Sequence, residues 1–294
     1  MPVLSPSGFV RLAWMEWGAA DARRTAVCVH GLTRNARDFD ALAQSLASAG
    51  WRVAAVDVPG RGRSEWLRRP QDYGYPFYAA ALAALIGRLG ADTVDWVGTS
   101  MGGLIGMMLA AQPAAAGMKG PIRRLVLNDI GPFIPKAALA RIAEYVGPKD
   151  GEGAQCFADL AAVEAYLRRV HAPFGALSDE QWRHLALHSA VAAPSGDGGG
   201  EGSGGYRLHY DPAIAQAFAA GPIEDVALWP IWEAVAAPTL VLRGAASDLL
   251  AKDTADRMAR RGTVRVHEIA GAGHAPALMA DDQIALIRGF LAEG

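Results

Sequence analysis

The run Val94-Asp-Trp-Val-Gly98-Thr99-Ser100-Met101-Gly102-Gly103-Leu-Ile-Gly106 leaves the backbone few options. Apolar Val94, Trp96 and Val97 suit a strand covered on both faces, and Leu104 to Gln112 reads as a helix. Gly98 and Gly102 flank the serine at the positions where side chains would collide as the chain reverses. A serine on so tight a turn points out of the end of a sheet, which is where a nucleophile belongs. The pattern G-x-S-x-G also arises by chance in a chain with 34 glycines. Its weight here comes from the strand before it and the helix after it.

Aliphatic or β-branched runs recur along the chain at Phe9 to Trp17, Ala26 to Val29, Arg52 to Val56, Val94 to Val97, Arg124 to Leu127, Thr239 to Arg243 and Val264 to Ile269. Helical segments such as Phe39 to Ala49, Tyr75 to Leu89 and Thr254 to Arg260 separate them. This alternation predicts an α/β fold, with a mostly parallel sheet and crossover helices on both faces. Gly31, Asp57, Ser100, Asp129, Asp248 and His274 each follow a strand, so they gather at one edge of the sheet.

The alternation stops between Phe133 and Trp232. About a hundred residues between two sheet strands is too long for a loop and reads as a helical cap over the active edge. The core is therefore expected at 1–132 and 233–294 and the cap at 133–232, with a flexible glycine-rich loop at 194–205. Of the cap's large apolar residues, among them Phe157, Tyr166, Trp182 and Trp232, most are expected to form its own core and some to face Ser100.

The chain has 294 residues, 28 basic and 30 acidic side chains and no basic block. Nucleic acid is an unsuitable partner, because backbone binding needs a concentrated positive surface. No apolar run reaches the roughly 18 residues of a membrane span, and the start lacks a secretory leader, so a cytoplasmic location is expected. Cys28 reads as a buried strand residue and Cys156 as part of a helical region. Two distant cysteines supply neither a structural disulfide nor a thiolate metal site.

His274, in Gly271-Ala272-Gly273-His274-Ala275-Pro276, is the leading base for Ser100, because small neighbours let its loop approach another. The carboxylate that orients it is assigned to Asp248, after the strand Thr239 to Arg243, with Asp129 as its competitor. Gly244 and the polar loop suit the return of Asp248 to the sheet edge, whereas Asp129 opens the exit into the cap. The amides of Leu32 and Met101 are the expected oxyanion donors, each such donor contributing about 3 kcal/mol in hydrolases. His30 is expected to brace its loop, and Asp57 to stiffen the glycine-rich turn after it. His184 and His188 stand four apart on one helical face without an acidic neighbour, so no metal is assigned to them.

Taken together, His30-Gly31, Asp57-x-x-Gly60-x-Gly62-x-Ser64, the Gly98 to Gly103 turn, Leu242-Arg243-Gly244 to Asp248, and Gly273-His274 resemble the α/β-hydrolase family. The resemblance covers nearly the whole chain and lies with its serine esterases, lactonases and carbon–carbon-bond hydrolases. It implies Ser100 as nucleophile, His274 as base and then acid, Asp248 as orienter, and the Leu32 and Met101 amides as oxyanion donors. Serine at position 100 separates the chain from the related dehalogenases and epoxide hydrolases, which carry aspartate there. Thr99 and the loop Leu32-Thr33-Arg34-Asn35 depart from the ring-cleavage carbon–carbon hydrolases.

The expected activity is hydrolysis of small to medium apolar or aryl carboxylic esters through an acyl-enzyme, by a monomer or homodimer, without metal or organic cofactor. The alternatives on the same scaffold are a carbon–carbon-bond hydrolase, a lactonase or thioesterase, and a non-enzymatic small-molecule receptor.

Overall fold

Seven strands form the central sheet in the order Val264–Ile269, Thr239–Gly244, Ile122–Asn128, Val94–Thr99, Arg24–Val29, Trp51–Asp57 and Ala13–Trp17, and every neighbouring pair is parallel except the last. The computed structural model describes residues 1–112, 120–146, 156–193, 205–218 and 221–293. In chain order the core begins with β1 (Pro2–Ser5), β2 (Gly8–Arg11), β3 (Ala13–Trp17), β4 (Arg24–Val29), α1 (Asp40–Ser48), β5 (Trp51–Asp57), α2 (Tyr75–Leu89), β6 (Val94–Thr99), α3 (Met101–Ala110) and β7 (Ile122–Asn128). The segment that leaves the sheet holds β8 (Phe133–Ile134), α4 (Lys136–Val146), β9 (Cys156–Phe157), α5 (Leu160–Val170), α6 (Asp179–Ser189), β10 (Ala190–Ala192), β11 (Tyr206–Leu208), α7 (Ile214–Phe218), β12 (Val226–Ala227) and α8 (Trp229–Ala234). The chain returns through β13 (Thr239–Gly244), α9 (Lys252–Met258), β14 (Val264–Ile269) and α10 (Asp281–Ala292).

The strands are apolar on both sides because both are covered. Leu82 and Leu85 of α2 and Leu104 and Ile105 of α3 pack over one face, with Trp96 of β6 beneath them. Leu42 and Leu46 of α1 and Ile287, Phe290 and Leu291 of α10 cover the other. Each such fully buried aliphatic side chain contributes about 1.5–3 kcal/mol.

The inserted segment has its own small core of Phe157, Val163, Tyr166, Leu167, Trp182 and Leu185. Its helices carry clear start signals. Asp159 accepts from the Ala162 amide ahead of α5, and Ser178 with Gln181 forms a reciprocal capping box ahead of α6.

Several expectations need correction. The segment is not purely helical, since β10, β11 and β9 form a three-stranded sheet and β8 pairs with β12. Cys156 lies in β9 and not in a helix. The run Phe9 to Trp17 divides at Leu12 into a strand of the β1-β2 hairpin and the edge strand β3. Strands of two to five residues are too short for an alternating pattern to declare itself. Positions 194–204 of the expected glycine-rich loop lie outside the described residues. Among the described residues, no helix is long and apolar enough to cross a membrane.

Candidate active site

Ser100 occupies the corner between β6 and α3 with φ 50° and ψ −113°, a left-handed backbone that a non-glycine residue rarely adopts. The corner exists because its flanks are bare. A methyl on Gly98 would overlap the Gly102 backbone, and one on Gly102 would overlap the Val29 carbonyl. The Ser100 amide donates to the Asn128 carbonyl at 3.0 Å, which ties the corner to the end of β7.

Ser100 Oγ lies 2.9 Å from His274 Nε2, and His274 Nδ1 lies 2.8 Å from Asp129 Oδ2. A hydroxyl, an imidazole and a carboxylate therefore form one hydrogen-bonded line. Asp129 is wholly buried and takes φ 55°, a conformation aspartate tolerates better than most residues. Its other oxygen accepts from the Gly244 amide at 2.7 Å, while the Ser247 hydroxyl donates to Oδ2 at 2.5 Å.

This corrects the assignment of Asp248. That side chain is exposed and paired with Arg141 of α4, with contacts of 2.5 and 2.9 Å. The loop after β13 does converge on the histidine, as its sequence suggested, but it brings donors to Asp129, just past β7, and not a carboxylate of its own. Gly244 is glycine because a methyl there would overlap the Gly273 carbonyl of the neighbouring loop.

Asn128, which sequence reasoning passed over, also serves the line. Its Nδ2 donates to Thr99 Oγ1 at 3.0 Å and to the Pro276 carbonyl at 2.8 Å, joining the loops that carry Ser100 and His274. The inserted segment adds two further ties, as the Gly273 amide donates to the Pro173 carbonyl at 2.7 Å and the Ala277 amide to the Phe174 carbonyl at 3.2 Å.

His30 is not a proton acceptor for the serine. Its Nδ1 lies 2.7 Å from the Gly31 carbonyl and its Nε2 accepts from the Val58 amide at 3.0 Å, a pairing that suits the neutral Nδ1–H ring. Burial pushes its pKa down to about 3. His171 is likewise held well below the ordinary histidine range by burial and then by Arg34 and His274. Asp57 accepts from the Ala36 and Arg63 amides at 2.8 and 2.9 Å and so ties two loops together. Burial, against these bonds, raises its pKa.

Beside Ser100 opens a cavity of about 230 Å³. Leu32 and Met101 lie in its wall, with aliphatic Leu104, Ile130, Ile134, Leu139, Ile142 and Ile214 and the aromatic rings of Tyr73, Tyr75 and Tyr78. The aromatic wall thus comes from the core around α2. Phe157, Tyr166 and Trp182 are spent on the inserted segment's own core. Met101 is the first residue of α3, so its amide has no partner within the helix. A methyl on Gly31 would stand 3.8 Å from the Ser100 Cβ, which places the chain before Leu32 against the serine.

Arg61 is fully buried in the same wall. Its Nε donates to the Leu32 carbonyl and its Nη1 to the Pro59 carbonyl and the Tyr78 hydroxyl, all at 2.8 Å, while Nη2 meets Met101 Sδ at 3.6 Å. Its guanidinium thus touches both Leu32 and Met101.

Comparison with known proteins sets the chain among hydrolases. The chain is 43% identical to a 3-hydroxybutyrate-oligomer hydrolase of Cupriavidus necator, over 98% of this chain and 94% of that protein. It is 30% identical to a 2-(acetamidomethylene)succinate hydrolase of Mesorhizobium japonicum, over 83% and 79% of the two chains. An alpha/beta hydrolase from Novosphingobium aromaticivorans superposes with a TM-score of 0.82 at 34% identity, covering 99% of this chain and 96% of that one. The protein is thus a hydrolytic enzyme related to esterases. Residues 26–279 match the model of the alpha/beta hydrolase fold, and the chain belongs to that family.

Proposed function

We propose that this protein is a carboxylic ester hydrolase, acting through Ser100, His274 and Asp129, and that short 3-hydroxybutyrate oligomers are among its substrates. The observation that carries the reading is the continuous line from Ser100 Oγ through His274 to Asp129, with contacts of 2.9 and 2.8 Å. Ser100 Oγ attacks the acyl carbon as its proton passes to His274 Nε2. The oxyanion is held by the Leu32 and Met101 amides, and His274 returns the proton to the departing alcohol. Water then attacks the acyl-enzyme, giving a proton to His274. The serine recovers that proton as the acid leaves. Asp129 fixes the ring tautomer and balances the imidazolium throughout. Arg61 holds the Leu32 carbonyl, in the peptide that follows the Leu32 amide, and meets the Met101 side chain, so it steadies both residues that supply the donors.

The branched aliphatic wall suits small to medium apolar or aryl acyl groups and the methyl-bearing units of hydroxybutyrate chains. The Cupriavidus relative, whose name describes oligomer hydrolysis, favours the latter. The test is release of acid from p-nitrophenyl esters of graded length and of monomer from the 3-hydroxybutyrate dimer and trimer. Turnover of both sets is expected, with a loss of about a thousandfold or more in Ser100→Ala. Undiminished turnover in Ser100→Ala overturns the mechanism. Turnover of the simple esters alone overturns the oligomer assignment.

A further inference from the structure

Away from Ser100, a second group of functional side chains converges from two elements. Asp40 opens α1 of the core, and His184 and His188 stand one turn apart on α6 of the inserted segment. The two rings meet edge to face with centroids 4.6 Å apart, and His184 Nε2 lies 3.5 Å from Asp40 Oδ2. One donor atom from each of the three residues lies within 4.8 Å of the other two. Asp40 is buried and both histidines are half-buried, so the cluster is sheltered yet open to a small ion.

Two imidazole nitrogens and a carboxylate oxygen are a donor set for zinc and its neighbours, not for magnesium or calcium. Tetrahedral zinc with bonds of 2.0–2.1 Å places its ligand atoms ~3.4 Å apart, so the cluster must close by up to ~1.4 Å. Rotation of two partly exposed histidine side chains supplies that movement without displacing either helix. The His184 Nε2 now bonds to the Arg37 carbonyl at 3.0 Å. An ion taking that nitrogen leaves the ring proton on Nδ1.

The competitor is Arg37, whose Nε and Nη2 hold Asp40 Oδ2 at 2.8 and 2.6 Å. Its side chain is 32% exposed, so it can turn to water when the carboxylate is taken. Nearby, the Arg34 guanidinium is already committed to Asp38. The remaining coordination positions fall to water.

We infer that Asp40, His184 and His188 form a binding site for a divalent transition-metal ion of the zinc, nickel or copper kind, which fastens α6 of the inserted segment to α1 of the core. The site is separate from the Ser100 line and stands or falls independently of the ester chemistry proposed above.

The test is calorimetric titration of the full, chelator-treated chain with zinc chloride, alongside its unfolding temperature with and without zinc. One saturable equivalent is expected, with a rise in unfolding temperature because the ion binds the folded chain. His184→Gln, His188→Gln and Asp40→Asn are each expected to weaken zinc by about tenfold or more, since each removes one of three ligands. Arg37→Gln is expected to tighten it. Unchanged zinc affinity in the double variant His184→Gln/His188→Gln overturns the site, as does an Asp40→Asn chain that folds and binds zinc as before. Should Asp40→Asn fail to fold, cobalt(II) decides. Intense visible bands from a tetrahedral ion that vanish in both histidine variants support the site, and their absence from the unsubstituted chain refutes it.

Discussion

Asp129 and Asp248 pose the sharpest question that a single residue can answer in this protein. Both follow strands, both stand near the mouth of the sheet, and only their surroundings separate them. Asp129 is buried with three hydrogen-bond donors around it, whereas Asp248 is exposed on Arg141. Asp129→Asn should therefore lower kcat by about a thousandfold or more, through loss of the ring's orientation and charge. Asp248→Asn should leave kcat within about twofold, because an exposed ion pair contributes little. The reverse ranking in steady-state assays would return the role to Asp248. The serine and the histidine were legible because small residues crowd both. The choice of carboxylate was not, because it depends on where the Gly244 amide and Ser247 hydroxyl aim, and local composition does not record that. His30 supplies a pH prediction. Its folded pKa of about 3 lies below the unfolded value of 6.5. The unfolded chain takes up a proton that the folded chain refuses between these values, so the contribution is complete above pH 6.5 and is lost as pH falls toward 3. The slope approaches ~1.4 kcal/mol per pH unit, with His171 adding in the same direction. His30→Asn should flatten the fall of the urea midpoint between pH 7 and pH 4, and an unchanged fall would remove His30 from this account.

At the scale of elements, the meeting of β6 and α3 depends on backbone passing against backbone. Since a methyl on Gly102 would collide with the Val29 carbonyl in the adjacent β4, Gly102→Ala must push the helix start away from the sheet. The expected cost is about 1–3 kcal/mol in denaturant unfolding, with kcat falling further than stability alone requires. A variant of unchanged midpoint and unchanged kcat would contradict the close approach. The long strands and helices of the sheet were readable from periodicity, since each spans enough residues to repeat its pattern. The two- and three-residue strands β8 to β12 were not, because their pairing is chosen by distant partners and their length leaves no period to see.

Across the whole molecule, the cavity is a joint product. Leu104 and the tyrosines belong to the core, while Leu139 and Ile142 reach in from α4 of the inserted segment. Leu139→Ala should lengthen the space and raise the kcat/KM ratio for octanoyl over butanoyl esters by about tenfold, a methylene-scale discrimination. An unmoved ratio would mean that the acyl chain lies elsewhere. Long-range placement of this kind was also what hid Asp40 from any reading of His184 and His188 in sequence. The same property has a temporal side. Ser100 and His274 are 174 positions apart along the chain, and Asp129 and His274 are 145 apart. A polypeptide whose first strands have zipped together before β13 and β14 dock carries the strained serine with no proton acceptor beside it. On the function proposed above, chemical competence waits for the loop after β14 that carries His274, so a half-folded copy is expected to leave esters untouched.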